Sequence, residues 1–248
     1  MEKYILISVV AFFVSVVSSI AGGGGGLVMT PLMLLLGFPP QVALASAKAG
    51  GLGINIGALT KFTRHKGLIH RRWALVLALC GIVASIIGTR LVFVLHAYVL
   101  KDLIVVITLS LVPFLVIRRK KGLRVENPSK VRQGVGAALY FVILVAQAGL
   151  GSGIGIVTML ILTGMLGLDA LHASATKRAA GLVLAATSFT IFAFSSYMNW
   201  ALALALGLGM IVGGYVGARL AIKHGNRLIE SMLLVLAVAM AIGVLIKR

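Results

Sequence analysis

The sequence predicts an all-α polytopic membrane protein with two inverted-topology repeats, each a glycine-broken helical hairpin plus three transmembrane helices. Hydrophobic residues make up 60% of the 248-residue chain and charged residues only 11%, with a mean hydropathy of +1.11. A soluble domain carries about 25% charged residues. In addition, glycine clusters interrupt two long apolar segments, and the second half of the chain repeats features of the first.

Ten apolar runs, bounded by charged residues, Gly and Pro, are the predicted helical segments: 4–21, 27–36, 42–60, 73–93, 98–117, 134–150, 154–168, 172–194, 200–221 and 226–246. The run 27–36 is too short to cross a bilayer alone, since a crossing takes about 20 residues. With the first run it forms a hairpin or broken pair around Gly22–Gly26. The pair of runs broken at Gly151–Gly155 has the same form.

An internal repeat relates the two halves. At one constant offset in residue number, glycines and basic residues match without a gap: Gly23 with Gly153, Gly25 with Gly155, Gly37 with Gly167, and Lys48 with Arg178. Gly88–Leu91 matches Gly217–Leu220 with the offset shorter by one position. The predicted organisation is one integral membrane domain with an N-terminal repeat, a basic cytoplasmic connector and a C-terminal repeat: 1–117, 118–133 and 134–248.

Loop charges indicate that the repeats are inverted. The loop 61–72 carries five Lys and Arg residues, whereas the equivalent loop 195–199 carries none. Conversely, the 94–99 turn has none, while its counterpart 223–227 has two, and the connector 118–132 has seven. Because Lys and Arg are enriched in cytoplasmic loops, equivalent loops lie on opposite sides of the membrane. Inverted repeats are typical of secondary transporters, and both termini are then expected to face outward.

Composition excludes several classes of function. The net charge of +18 is explained by cytoplasmic loops, and no soluble segment is long enough to bind nucleic acid. The five acidic residues lie at the termini, in loops or near helix ends, which argues against a mid-membrane carboxylate relay. A single cysteine, Cys80, excludes an intrachain disulfide and a thiolate metal cluster, so no cofactor or metal is expected.

The glycine breaks are candidate anion sites. A helix that begins at mid-membrane exposes amides that bind anions, and glycine lets the backbone approach a ligand closely. The alternative is close helix packing through glycine. Symmetry between the two breaks favours the site, and the candidate residues are Gly23, Gly24, Gly25, Gly151, Ser152 and Gly153.

Two basic residues inside predicted helices are further candidates. Lys48 shares a helix face with Asn55, and Arg178 is its match in the second half, near Thr176, which completes the candidate set. A charge near the bilayer centre is costly and usually functional, although long side chains also snorkel to the interface. Lys177 is expected to face elsewhere and to snorkel.

At these residues the sequence resembles the sulfite/sulfonate exporter (TauE/SafE) family of membrane transporters. The matching motifs cover nearly the whole chain: Gly22–Gly26 through Leu32, Gly37–Pro40, Ala43–Ser46, Arg64–Gly67 with Trp73, Gly88–Leu91, Gly149–Gly155, Ala173–Thr176 and Gly217–Leu220. The resemblance implies transport of small sulfur-containing anions such as sulfite or organosulfonates, coupled to an ion gradient. Lys48 and the pair Lys177-Arg178 depart from the small or apolar residues that usually follow the family's Ser/Thr positions.

The predicted function is therefore a secondary transporter that moves such an anion across the cytoplasmic membrane by alternating access. A passive anion channel is the first alternative. An intramembrane serine protease is the second, but Leu150 replaces the glycine that the Gly-x-Ser-Gly motif requires, and no histidine lies at mid-helix. Expected partners are the anionic substrate, a proton or sodium ion for coupling and the lipid bilayer, with a homo-oligomer left open and no nucleic acid.

Overall fold

A computed structural model describes residues 2–23, 25–94, 128–150 and 155–246. Within these ranges the chain forms eight α-helices, and no strand is present among the described residues. The predicted all-helical class is confirmed. The helices are α1 (Glu2–Ile20), α2 (Gly25–Leu35), α3 (Pro40–Phe62), α4 (Arg71–Val94), α5 (Lys130–Leu150), α6 (Gly155–Gly164), α7 (Ala170–Ala193) and α8 (Trp200–Ile246).

The helix bounds agree closely with the predicted segments. One segment, 98–117, lies outside the described residues. The runs 200–221 and 226–246 were expected as separate helices, and they form the two parts of α8 on either side of Gly225. Gly225 has φ 66° and ψ −157°, a conformation that L side chains rarely adopt, so the predicted boundary survives as a break within a longer element.

The two short helices are half as long as a membrane crossing. α2 has 11 residues and α6 has 10, which at 1.5 Å per residue is about 16 Å for the longer one, against about 30 Å of hydrocarbon. Each is followed by a glycine with positive φ, namely Gly37 (85°) and Gly167 (75°). These glycines permit the tight reversal from each short helix into the next long helix.

Helix starts in the two halves keep the offset seen in the sequence. α2 and α6 begin at Gly25 and Gly155, which the repeat matches, and α3 and α7 begin with the same separation. Local chemistry differs, however. Pro40 occupies the first turn of α3, where its missing N–H costs nothing, whereas the Asp169 carboxylate caps α7 by accepting a 2.9 Å hydrogen bond from the His172 amide. Different residues therefore start equivalent helices.

Five of the described helices are long and apolar enough to span a membrane: Glu2–Ile20, Pro40–Phe62, Arg71–Val94, Lys130–Gly149 and Trp200–Met232. α7 is as long as α4 but contains Lys177 and Arg178, which lower its hydropathy. Large apolar side chains such as Phe13 and Leu75 are exposed on the outer surface of the bundle, where lipid would cover them. The chain is an integral membrane protein.

Close backbone contact holds α1 against α8. Three glycines one turn apart on α8 face three carbonyl groups one turn apart on α1: Gly209 against Ser8, Gly213 against Phe12, and Gly217 against Val16. Across the same interface, the Ser15 hydroxyl donates to the Met210 carbonyl (2.9 Å) and the Ser19 hydroxyl to the Gly214 carbonyl (3.0 Å). Lipid supplies no hydrophobic force between helices, so such backbone approach and hydrogen bonding drive association.

The most extensive packing joins helices of the first half to helices of the second. α3 and α1 pack on α8, while α4 packs on α5 and α7. At the α4–α5 crossing, Gly88 lies against the Val145 carbonyl. Gly217, the match of Gly88 in the second half, approaches α1 from α8 in the same way. The long helices of the two halves thus interlock, and the region between them is where polar side chains from both halves meet.

A matched glycine pair tests this packing. A Cβ at Gly57 would lie 2.9 Å from the Ile211 carbonyl carbon and 3.0 Å from the Tyr215 amide nitrogen, whereas one at Gly207 would meet nothing closer than 3.8 Å. Gly57→Ala should destabilise the protein by about 1–3 kcal/mol through overpacking. Gly207→Ala should be neutral or stabilising by up to about 1 kcal/mol. Thermal unfolding of the detergent-solubilised variants measures both, and equal midpoints would contradict the close α3–α8 contact.

Candidate anion-binding site

A cavity of about 60 Å³ lies where α1, α3 and α7 meet the turn between α1 and α2, with one side chain each from α5 and α8 in its described lining. This volume is several times the roughly 10–15 Å³ that one water requires, so the cavity can hold a small polyatomic ion. Its described lining combines three cations and a few other polar groups with glycines and apolar side chains: Ser18, Gly23, Gly25, Ala47, Lys48, Gly51, Ile54, Asn55, Gln147, Lys177, Arg178, Gly181, Leu184, Ala185, Ser188 and Met210.

Lys48 reaches the cavity from α3. Its side chain is only 6% exposed, and Nζ donates a hydrogen bond to the carbonyl of Ala148, in the last turn of α5. Nζ also lies 5.5 Å from the centroid of the Phe192 ring. A cation is favoured at a helix C-terminus, and an aromatic face adds a cation–π contact. Lys48 therefore does not snorkel to the interface.

Arg178 occupies the matching place on α7. It is 5% exposed, and one terminal nitrogen donates to the carbonyl of Ser18 at 2.7 Å, in the last turn of α1. The other donates to Asn55 Oδ1 at 3.4 Å, and Nε is buried without a hydrogen-bond partner among the described residues. Ser18 and Ala148 are themselves matched by the repeat, as are the two cations. Each cation thus holds the end of the broken helix that belongs to the other half.

Asn55 fixes the guanidinium from the α3 side. Its Nδ2 donates to the Gly51 carbonyl at 2.8 Å and to the Gly181 carbonyl at 3.1 Å, which leaves Oδ1 directed at Arg178. The amide therefore bridges α3 and α7. Lys48, Gly51 and Asn55 all line the cavity, so they share one face of α3.

Lys177 corrects one prediction. Snorkelling was expected, but the side chain is only 6% exposed, and Nζ donates to the carbonyls of Gly22 and Gly155. Its ammonium thus bridges the turn after α1 and the start of α6. Because the α1–α2 turn and α6 cover this side of α7, no route to the interface remains. The sequence signal for this burial was the pair of adjacent cations in an otherwise apolar helix. Adjacent side chains point in different directions, so burying both requires polar partners on two sides of the helix.

The glycines have distinct places. Gly23 lines the cavity, and a Cβ there would lie 2.5 Å from the Gly155 carbonyl carbon and 2.7 Å from Lys177 Nζ, so the two breaks touch through glycine. Gly25 also lines the cavity, but its amide, which was expected to face an anion, donates to Ser18 Oγ at 3.0 Å. The remaining break candidates, Gly24, Gly151, Ser152 and Gly153, lie outside the described residues.

Thr176 is buried away from the cavity. Its Oγ1 accepts a 3.0 Å hydrogen bond from the His70 amide, just before α4 begins. Ser46, its match in the first half, donates to the Asn199 carbonyl at 3.4 Å, just before α8 begins. This pair of hydroxyl groups ties each half to the start of a long helix in the other half, and it contributes nothing to the cavity wall.

The charged side chains in the described lining of the cavity are all positive. Lys48, Lys177 and Arg178 line it together, and none of the described lining residues is acidic. Their hydrogen-bond acceptors are backbone carbonyls and one amide, which are neutral. Removing a charge from water without a counter-charge costs several kcal/mol, so the arrangement favours an anion that restores neutrality.

The family model described as sulfite exporter TauE/SafE matches residues 7–244, nearly the whole chain. The chain belongs to this family. Its membership confirms the predicted resemblance and makes the protein a member of a family of membrane transporters rather than of enzymes.

Two relatives are also named as probable membrane transporters. A probable membrane transporter protein, ORF9, from Sinorhizobium sp is 28% identical over 238 residues, covering 96% of this chain and 90% of the relative. A probable membrane transporter protein from Haemophilus influenzae is 25% identical over 237 residues, covering 93% and 90%. No solved structure matches the chain.

The contact between Lys48 and the end of α5 predicts a loss of stability when the ammonium is removed. Lys48→Met keeps an unbranched stem against Phe192 but leaves the Ala148 carbonyl without this donor. The variant should therefore be destabilised by about 1–3 kcal/mol, the cost of a buried acceptor that has lost its partner. Thermal unfolding in anion-depleted buffer is the measurement. An unchanged or higher midpoint would show that burying the charge costs more than the contact with Ala148 contributes.

Proposed function

We propose that this TauE/SafE member is a secondary transporter of a small sulfur-containing anion, of the sulfite or organosulfonate class, across the cytoplasmic membrane. The single observation that carries the proposal is the cavity lined by the buried side chains of Lys48, Lys177 and Arg178 without a described acidic neighbour. The substrate class comes from the family, and the charge of the cavity agrees with it.

The donors of the cavity suit a sulfur oxyanion. Arg178 Nε is buried without a described partner, and each ammonium has more N–H groups than the carbonyls it contacts. The three oxygens of a sulfite or sulfonate group accept such hydrogen bonds in several directions. Charge-assisted hydrogen bonds are roughly twice as strong as neutral ones, which offsets part of the hydration that the anion loses.

Alternating access follows from an inverted repeat. Two kinds of contact occur twice, once in each direction between the halves. Lys48 contacts Ala148 as Arg178 contacts Ser18, and Ser46 contacts Asn199 as Thr176 contacts His70. A two-fold relation between the halves accounts for both reciprocal pairs. The loop charges favour an axis in the membrane plane, so rocking one half against the other would open the central cavity to each side in turn. The coupling ion we leave as a proton or sodium.

Anion binding tests the function directly. Among sulfite, sulfate, thiosulfate, sulfoacetate and taurine, at least one should stabilise the purified protein and exchange across proteoliposomes with saturation and counterflow. Lys48→Gln and Arg178→Gln should each weaken binding by about 2 kcal/mol, roughly thirtyfold, if each makes one buried charged contact. Lys223→Gln, an exposed cation near Gly225, is the control and should bind as the wild type does. Wild-type affinity in both cavity variants would place the site elsewhere, and flux without saturation or counterflow would indicate a channel.

The membrane sidedness of two equivalent loops tests whether the repeats are inverted. In a Cys80→Ala background, Lys66→Cys in the basic loop should react with an impermeant thiol reagent only from the cytoplasm. Ser196→Cys in the equivalent loop should react only from outside. Both positions are exposed, and Lys66 avoids the neighbouring Gly67, whose φ of 94° would strain a cysteine. Labelling of both cysteines from one side would contradict the inverted repeat.

A further inference from the structure

Lys177 breaks the symmetry of the cavity. Lys48 and Arg178 are matched by the repeat, whereas the residue matched to Lys177 is Ala47, which also lines the cavity. The repeat therefore supplies two cations, and the second half adds a third that has no partner in the first. A third buried charge that symmetry does not require calls for its own explanation, because every uncompensated charge at this depth is costly.

The position of this third charge is set by both helix breaks. Lys177 Nζ donates to the Gly22 carbonyl on one side and to the Gly155 carbonyl on the other. An ammonium has three N–H donors, so one remains for a ligand in the cavity that Lys177 lines. Gly23 leaves room for this placement, since a Cβ there would lie 2.7 Å from Nζ. The charge is thus pre-positioned before a ligand arrives.

We propose that Lys177 is a specificity-determining residue that makes the cavity prefer a doubly charged oxyanion over a singly charged anion of similar size and shape. This inference rests on the proposed function. Against three cations held only by neutral acceptors, a dianion leaves one positive charge uncompensated and a monoanion leaves two. Without Lys177, a dianion is matched by two cations and loses the attraction of a third, while a monoanion loses half as much.

Two probes of similar size separate these cases. Sulfate is a dianion at neutral pH, and methanesulfonate is a monoanion with one oxygen replaced by a methyl group. Binding of each to the wild type and to Lys177→Gln is measured by titration calorimetry at fixed ionic strength. Gln retains an N–H donor and removes the charge. We expect the ratio of sulfate affinity to methanesulfonate affinity to fall by about tenfold or more in the variant, because one nearby charge acts twice as strongly on a dianion.

Comparison of ratios removes the different hydration of the two ions, since that cost is the same for both proteins. Lys177→Arg should retain the wild-type ratio because it retains the charge, and Lys223→Gln should leave the ratio unchanged because Lys223 lies outside the cavity lining. If Lys177→Gln is not recovered folded, Lys177→Met takes its place in the same comparison. Equal weakening of both anions would assign Lys177 a structural role only and overturn the inference. Failure of the wild type to bind either probe would overturn the proposed site itself.

Discussion

The structure depends on buried cations that contact the carbonyl groups of interrupted helices. Wherever a helix ends inside a membrane, its last carbonyl groups lose their intrahelical donors, and lipid offers no replacement. Lys48 and Arg178 each supply a donor to such an end, and Lys177 supplies donors to both breaks. The helix breaks therefore require cations at this depth, and the cations require the breaks. Each feature would be costly alone.

The same mutual dependence connects architecture to transport. Each cation reaches a helix end of the opposite half, so the contacts that stabilise the centre are also the contacts between the two halves. A ligand that competes with these carbonyls for N–H donors acts directly on the interface. Glycine stripes such as Gly209, Gly213 and Gly217 hold the outer helices together by backbone contact, which leaves the polar interactions concentrated at the cavity.

The charge of the cavity limits the kinds of ligand that it can bind. The described lining joins three cations with two side-chain amides, hydroxyl groups and apolar side chains, and it contains no carboxylate. A zwitterion's ammonium group would find no acidic partner there, whereas a compact oxyanion finds donors on several sides. The volume of about 60 Å³ suits a small ion in the observed conformation. Charge and volume together favour a small, oxygen-rich anion over a long or amphipathic one.

The sequence alone determined the helices, their breaks and one face of the site. Apolar run lengths place segment ends, glycine clusters mark the breaks, and helical periodicity puts Lys48, Gly51 and Asn55 on one face, because these signals are local. Tertiary structure alone decided what covers each face. The contact of Thr176 with His70, the burial of Lys177 and the capping of α1 by Arg178 join residues that lie far apart in the sequence. Periodicity states that two residues share a face, and only the packing of distant helices determines whether that face meets lipid, carbonyl groups or a cavity.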